Sequence, residues 1–361
     1  MSNAEQSRRR GRGTPLRPDN RFVSLRVEPD PETVPCQPDG SPLERGERTE
    51  FLADRAKSII SQNDSPDVGF RWSLNPYRGC EHGCSYCYAR PTHEFLGLDA
   101  GLDFETKIFV KHDAASLFRD WLNRPAWQAE PIAFSGVTDC YQPAEQRFGL
   151  TRACLEVAVE ARQPVSIVTK NALITRDIGL LVELNRHQAI HTSVSLTTLD
   201  VQLARAMEPR TSPPAAKLRT IRELADEGIP VRVMVAPVIP GLTDSELPAI
   251  LEAAAEAGAG SAAWLMLRLP GPVEPIFTDW LDRMRPTEAE RVKSRLRSVR
   301  AGRLNDSQFG RRMRGTGPIA EQIAATFDVF ARRFGLERKL PPLSSEHFRP
   351  PRESSGQMKL F

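Results

Sequence analysis

Three cysteines lie within one short run, Asn75-Pro76-Tyr77-Arg78-Gly79-Cys80-Glu81-His82-Gly83-Cys84-Ser85-Tyr86-Cys87-Tyr88, spaced C-x3-C-x2-C. Thiolates this near in sequence do not readily bridge one another, but they can converge on a metal centre. Gly79 and Gly83 give the run the backbone freedom to wrap around something bulky. Three protein ligands on a four-iron cluster leave one iron without a protein ligand, and chemistry can take place at that open position. A zinc site completed by His82 or His93 uses the same atoms, although zinc-binding cysteines more often come as paired C-x2-C units. Taken alone, both histidines read as loop hydrogen-bonding residues.

The segment Arg78-Gly79-Cys80-Glu81-His82-Gly83-Cys84-Ser85-Tyr86-Cys87-Tyr88-Ala89-Arg90, with its aromatic directly before the last cysteine, resembles the radical S-adenosylmethionine enzymes, in the branch that contains spore photoproduct lyase. The resemblance covers about residues 70–270. It implies that Cys80, Cys84 and Cys87 hold a [4Fe–4S] cluster, and that S-adenosylmethionine occupies the fourth iron through its amine and carboxylate. An external one-electron donor then splits the sulfonium to a 5′-deoxyadenosyl radical. The cofactor carries the hard step while the protein orients it and excludes water.

The chain has 361 residues, enough for one large domain with appendages or two small ones. Its 40% hydrophobic content is near the globular norm, and no run reaches the length of a membrane span. The arginine-rich start lacks the apolar stretch of a secretory signal. Half of the six cysteines sit in the motif, which fits a reducing, cytoplasmic setting. Cys36, Cys140 and Cys154 remain as small core or surface residues. The net charge of +3 is mild, but Arg8, Arg9, Arg10, Arg12 and Arg17 crowd the start, and Arg311, Arg312 and Arg314 form a second basic group. Both could meet phosphate, and the first is equally a solvated arm.

Elements that could position such a site follow from the pattern. Residues 1–48 lack a sustained apolar period and read as a mostly disordered basic arm, with Phe22-Val23-Ser24-Leu25 able to dock on the body. Glu50 to Ile60 has near-helical apolar spacing and reads as a lead-in helix. Strands are expected at Lys107–Lys111, Pro131–Ser135, Val165–Lys170, Ile190–Leu196, Val231–Val235 and Ala262–Leu267. Helices are expected at Ala114–Leu122, Thr151–Ala161, Ile174–Asn185, Leu199–Met207, Pro214–Glu227 and Asp244–Ala257. This alternation means repeated βα units and a parallel sheet. The fold class is α/β, a partial (β/α)6 TIM-like barrel over residues 49–270 with the cysteine loop after its first strand; a doubly wound open sheet is the alternative. No glycine-rich nucleotide fingerprint competes. Residues 271–335 read as a helical extension that closes the open side of the barrel, with helices at Glu288–Ala301 and Ile319–Phe334. The Pro- and Ser-rich residues 336–361 read as a loose tail.

Polar residues at the ends of parallel strands point into a barrel mouth. Ser135, Gly136 and Thr138 end one strand, in a turn that resembles the family's contact with the methionine amine and also suits an ordinary βα turn. Lys170 ends the next strand, where a cation can pair with the cofactor carboxylate. Ser195, on the same face as Ser193, resembles the residue that bonds the ribose or carboxylate. Val235 begins the apolar Val235-Ala236-Pro237-Val238-Ile239-Pro240-Gly241 segment expected against adenine, with Leu265, Leu267 and Tyr86 on the other side. Arg210 could meet cofactor or substrate, or cap a helix. Tyr88 and Cys140 are the candidate catalytic residues. Tyr88 matches a tyrosine of the lyase and could relay a radical. The lyase's hydrogen-donating cysteine, however, falls at Gly136, and Cys140 lies just after Asp139 instead. That departure points to chemistry other than thymine-dimer repair.

The last residues, Gln357-Met358-Lys359-Leu360-Phe361, resemble the peptide by which bacterial repair proteins dock on the sliding clamp. DNA or RNA is therefore a candidate partner. The rival reading of the whole chain is a non-catalytic DNA-associated protein whose metal cluster is structural.

Overall fold

The structure is a computed structural model that describes residues 12–23 and 48–351. The Arg8–Arg10 cluster, Ser24, Leu25, Cys36 and the peptide Gln357–Phe361 lie outside the described residues.

Among the described residues ten strands form two sheets. In chain order they are β1 (Glu50–Ala53), β2 (Ile60–Gln62), β3 (Trp72–Leu74), β4 (Tyr77–Arg78), β5 (Lys107–Val110), β6 (Ile132–Phe134), β7 (Val165–Thr169), β8 (Ile190–Ser195), β9 (Val231–Val238) and β10 (Ser261–Met266). The large sheet runs β10-β9-β8-β7-β6-β3-β2. Its six strands from β3 to β10 are parallel, and β2 adds an antiparallel edge. Helices such as Leu150–Ala161, Ile178–Asn185, Pro214–Asp226 and Leu247–Glu256 make the crossovers. This is the expected partial barrel, and the cysteine loop follows its first strand. That strand is β3, however, not Lys107–Lys111. β5 belongs to a separate small sheet, β1-β5-β4, which braces the loop from outside.

The predicted lead-in helix is absent. Its residues form β1 and β2 instead. Glu50–Ala53 pairs in parallel with Lys107–Val110 along its whole length, and a partner ladder of this kind overrides a weak helical period.

Residues facing the helices are apolar and packed into the main core, among them Val165, Ile167, Val194, Val233, Val235 and Trp264. The opposite face, read from the register and the two-residue alternation of strands, carries Ser73, Ser135, Ser193, Ser195 and Met234. A sheet with one apolar face and one face of small polar groups leaves room inside the barrel for a polar ligand.

Three further segments close this body. Met313 O accepts from Met266 N at 2.9 Å at the β10 edge. Arg312 then reaches the far side, donating to Asp67 at 2.7 Å and Ser65 at 2.5 Å. The basic loop, rather than the helices Ala289–Val299 and Pro318–Arg333 that flank it, therefore bridges the open side. Arg314 is turned onto the Trp264 ring at 4.4 Å, and Arg311 donates to Gln308 at 3.0 Å and pairs with Asp306 at 3.5 Å, so all three loop arginines have structural partners. Residues 336–351, expected to be loose, cross the N-terminal ends of the strands: Ser344 N donates to Gln188 O and Arg349 N to Ala161 O, both at 2.9 Å. The helix Val273–Met284, absent from the sequence reading, packs Phe277, Trp280 and Leu281 beside Cys84 and Tyr86.

Residues 12–23 are the largest departure from the expected arm. They lie across the cysteine loop. Gly13 N donates to Glu105 Oε2 at 2.8 Å, Arg12 to Glu105 O at 2.7 Å, and Arg21 to Glu94. These are polar anchors, which an apolar-period search does not register. A Cβ on Gly13 would lie 1.6 Å from Gly83 O, and backbone cannot yield that far. Gly13→Val is therefore expected to lift the strap and raise the rate of tryptic cleavage after Arg12 and Arg21 by about tenfold or more, the factor for ~1.4 kcal/mol of lost docking. Unchanged cleavage would show that the strap is not held by this contact.

Candidate active site

The cysteine loop is fixed mostly through its backbone. Arg90, fully buried, donates from Nε and Nη2 to Cys84 O at 3.1 and 2.9 Å, and from Nη2 to Glu105 at 2.5 Å. Gln142 donates to Gly79 O and accepts from Glu81 N. Ser85 N donates to Met207 O at 2.9 Å. Gly79 and Gly83 both have positive φ, 79° and 65°, where a side chain would be strained and would strike Phe104 O or Glu105.

The loop presents Cys80, Cys84 and Cys87, the first two buried and the third half-buried. As thiols they are uncharged at neutral pH, since burial pushes all three above their ordinary value. His82 is not available as a fourth ligand in this arrangement, whereas His93 keeps Nδ1 without a partner among the described residues. His82 spends Nδ1 on Asp139 at 3.4 Å and Nε2 on Asn171 at 3.3 Å. His93 turns Nε2 to Lys107 O at 3.0 Å, and burial lowers its pKa to about 4. Three soft sulfur donors on a loop with an open side suit an iron–sulfur cluster better than a closed zinc site.

Beside them lies a buried polar group. Lys170 Nζ donates to Ser195 Oγ at 2.8 Å, to Glu208 Oε1 at 3.1 Å and to Ala236 O at 3.1 Å. Tyr86 donates its hydroxyl to Glu208 and stands 5.5 Å under the Lys170 ammonium. Thr197 also donates to Glu208, at 2.6 Å. Lys217 reaches the other carboxylate oxygen at 2.6 Å. Burial opposes charge on all three ionic groups. The two ammoniums outweigh it at Glu208, which is held well below the carboxylate range. Glu208 outweighs it at Lys170, which is raised, whereas Lys217 stays lowered. With all three ionised these side chains carry two positive charges against one negative, and Asp139, buried and held low beside Lys170, brings a second negative charge.

The structure thus joins Tyr86, Lys170 and Ser195, as the sequence predicted, and adds Glu208, Thr197 and Lys217, which it did not. Lys217 left a legible signal. The helix Pro214–Asp226 buries Pro214, Lys217, Thr220, Ile221 and Leu224, so a lysine stands on the helical core stripe. Arg210, the neighbouring candidate, pairs with Glu81 at 3.1 Å and helps to hold the loop.

The turn after β6 lies against this group. Ser135 has φ 76°, an uncommon value for a residue with a side chain, and accepts from Cys140 N at 2.9 Å. Thr138 donates to Tyr77 O at 3.1 Å, and Asp139 binds Lys170 N at 2.7 Å and Thr169 Oγ1 at 2.8 Å. Tyr88, exposed at the rim, donates to Gly136 O at 3.2 Å.

Two expected positions lie elsewhere. The Cys140 side chain is in the main core with no exposure, not at the mouth. The Val235 side chain is also in that core, because it alternates with Met234, the partner of Ser195. Ile239 and Leu267 are the apolar residues grouped with Tyr86. Gly136 has no space for a side chain, since a Cβ would fall 2.6 Å from Ser73 Cβ. Gly136→Cys is therefore expected to lower stability by about 1–3 kcal/mol, read as a reduced urea midpoint and partly relieved by Ser73→Gly. An unshifted midpoint would refute the clash.

A partial parallel barrel with a three-cysteine loop at the C-terminal end of its first strand and a buried cation group beside it defines a cofactor-dependent enzyme of radical type. Residues 74–254 match the family model described as the Radical SAM superfamily, and the chain belongs to that superfamily. The cofactors of that superfamily are a [4Fe–4S] cluster and S-adenosylmethionine.

Uncharacterized proteins of Mycobacterium bovis and Mycobacterium tuberculosis are 39% identical over 226 residues, a match that spans 62% of this chain and 66%, just under two thirds, of each relative. One from Methanocaldococcus jannaschii is 27% identical over 199 residues, covering 55% of this chain and 71% of that protein. Spore photoproduct lyase, in a C140S mutant and in a form complexed with dinucleoside spore photoproduct, aligns in structure with TM-score 0.54 and 15% identity over 79% of each chain, which shows a shared fold. Among the described residues no helix is long and apolar enough to cross a membrane.

Proposed function

We propose that Cys80, Cys84 and Cys87 hold the cluster and that the Lys170–Ser195–Glu208 group receives the methionine end of S-adenosylmethionine. The observation that carries this reading is the Lys170 ammonium beside Tyr86, held on Ser195, Glu208 and Ala236 O in a site already removed from water. A carboxylate entering there pairs with it without new desolvation of protein groups. When bound, the pair of cofactors supplies a 5′-deoxyadenosyl radical. Lys170 turns from Glu208 to the incoming carboxylate, and Lys217 keeps Glu208 charged meanwhile. Tyr86, Ile239 and Leu267 form an apolar wall suited to the adenosine end, and the Ser135–Thr138 turn offers backbone oxygens to the ammonium. Tyr88 stands at the rim, between this site and the substrate.

The substrate class we propose to test first is nucleic acid. Its support is the fold shared with an enzyme described in complex with a dinucleoside lesion, and the tail Gln357–Phe361 as a docking peptide for the sliding clamp. Chain reconstituted without oxygen should bind close to four irons and four sulfides and form 5′-deoxyadenosine on reduction. With deuterated cofactor, label should pass to DNA or RNA bases. Purified protein that holds zinc, or that forms no 5′-deoxyadenosine, overturns the enzymatic reading; label transfer to neither nucleic acid overturns the substrate class. Deletion of Gln357–Phe361 should abolish clamp capture, and unchanged capture dismisses that role.

A further inference from the structure

Arg268 follows β10 at the barrel mouth, between Leu267 and Leu269, which are both buried. It is itself half-buried. Among the described residues its one hydrogen bond is from Nη1 to Met313 Sδ at 3.6 Å, a weak acceptor. Its Nε is buried and has no partner. Its neighbours differ. Arg312 is paired with Asp67 and Ser65, Arg300 donates to Leu267 O and Arg311 O, and Arg90 holds Glu105. The acid that acts electrostatically on Arg268 is Asp67, which Arg312 and Gly310 N already occupy.

A guanidinium half withdrawn from water without a paired anion is disfavoured, and burial acts against its charge here. Arg268 is close enough to Tyr88 for the two to interact electrostatically. Tyr88 is an exposed aromatic at the rim, and Arg312, whose charge acts on Arg268, is stacked 4.3 Å from the exposed Phe309 ring. A planar fork of donors matches the oxygens of a phosphate or carboxylate.

We propose that Arg268 is the receptor for an oxyanion group of the substrate, a phosphate or a carboxylate, seated at the mouth beside Tyr88. The site deepens the radical SAM reading, because it fixes the substrate next to that chemistry. The occupant supplies the negative charge that the protein leaves out, and the Tyr88 ring favours a substrate with a flat unsaturated part next to that charge.

The test is arginine modification by phenylglyoxal, mapped by mass spectrometry on reconstituted holoenzyme with bound S-adenosylmethionine. Arg268 should react, and saturating inorganic phosphate or acetate should slow its reaction by about tenfold or more while the more exposed Arg311 is unaffected. Protection by phosphate alone assigns a phosphoryl group, and protection by acetate as well assigns a carboxylate. Arg268→Gln should weaken phosphate binding about tenfold in a ³¹P titration, with iron content and melting temperature as fold controls. If neither anion slows modification of Arg268, or if Arg268 is inert until Asp67→Asn frees it, the proposal is overturned. The readout needs no cofactor cleavage. Protection without 5′-deoxyadenosine would keep the oxyanion site and remove the radical reading, and the converse result would do the reverse.

Discussion

Cys84→Ala, purified and reconstituted without oxygen, is expected to lack the visible absorption of a four-iron cluster and to form 5′-deoxyadenosine only at background. The loop should keep its shape, because what holds it at this position is the pair of Arg90 bonds to the Cys84 carbonyl, and alanine retains that carbonyl. The loss would then be that of one sulfur ligand rather than of the fold, and an unchanged circular dichroism spectrum checks this. A cube with two remaining protein thiolates on a loop built for three has no stable resting arrangement. The variant also discriminates between metals. A zinc protein would show no visible band before the substitution, and a variant that still cleaves the cofactor would remove Cys84 from the ligand set.

Glu208→Gln should be the most damaging single change that spares the cysteines. Glu208 lies buried between Lys170 and Lys217, at 3.1 and 2.6 Å. The amide leaves two ammoniums facing each other with no anion between them, and stranded buried charge of this kind costs about 3–5 kcal/mol. The melting temperature should fall by on the order of 5–15 °C. Adding Lys217→Met should restore much of the loss, because one ammonium then disappears. The acid limb of the stability curve should change as well. Glu208 is held well below the carboxylate range, so its contribution is complete above the unfolded carboxylate value of about 4.3 and is lost as pH falls below it toward the folded value. Without Glu208 that limb flattens. Wild-type melting and a wild-type acid limb in Glu208→Gln would show that the ionic group is not formed as described.

The alternation of βα units was legible because each unit buries its own apolar strand, and local pattern and tertiary role agree. The small sheet was not, because Glu50–Ala53 is a strand only by virtue of Lys107–Val110, which lies far along the chain. The strap at residues 12–23 is fastened by Arg12, Gly13 and Arg21 to Glu105 and Glu94, pairings that no period can reveal. At the site, the cysteines, Tyr86, Lys170 and Ser195 were legible from spacing and strand ends. Val235 and Cys140 were misplaced for one reason: being near the end of a strand or turn does not settle which way a side chain points. Met234, one residue earlier, is on the Ser195 face, and Ile239, beyond the end of β9, meets Tyr86.

The Arg312–Asp67 clasp sets the barrel apart from a ring closed by strand pairing. Every other seam between β10 and β3 is a run of backbone hydrogen bonds that must break together, whereas this one is Arg312 on Asp67 and Ser65 with Gly310 N on Asp67. The circumference can therefore gape at a single hinge-like seam, with no register lost elsewhere.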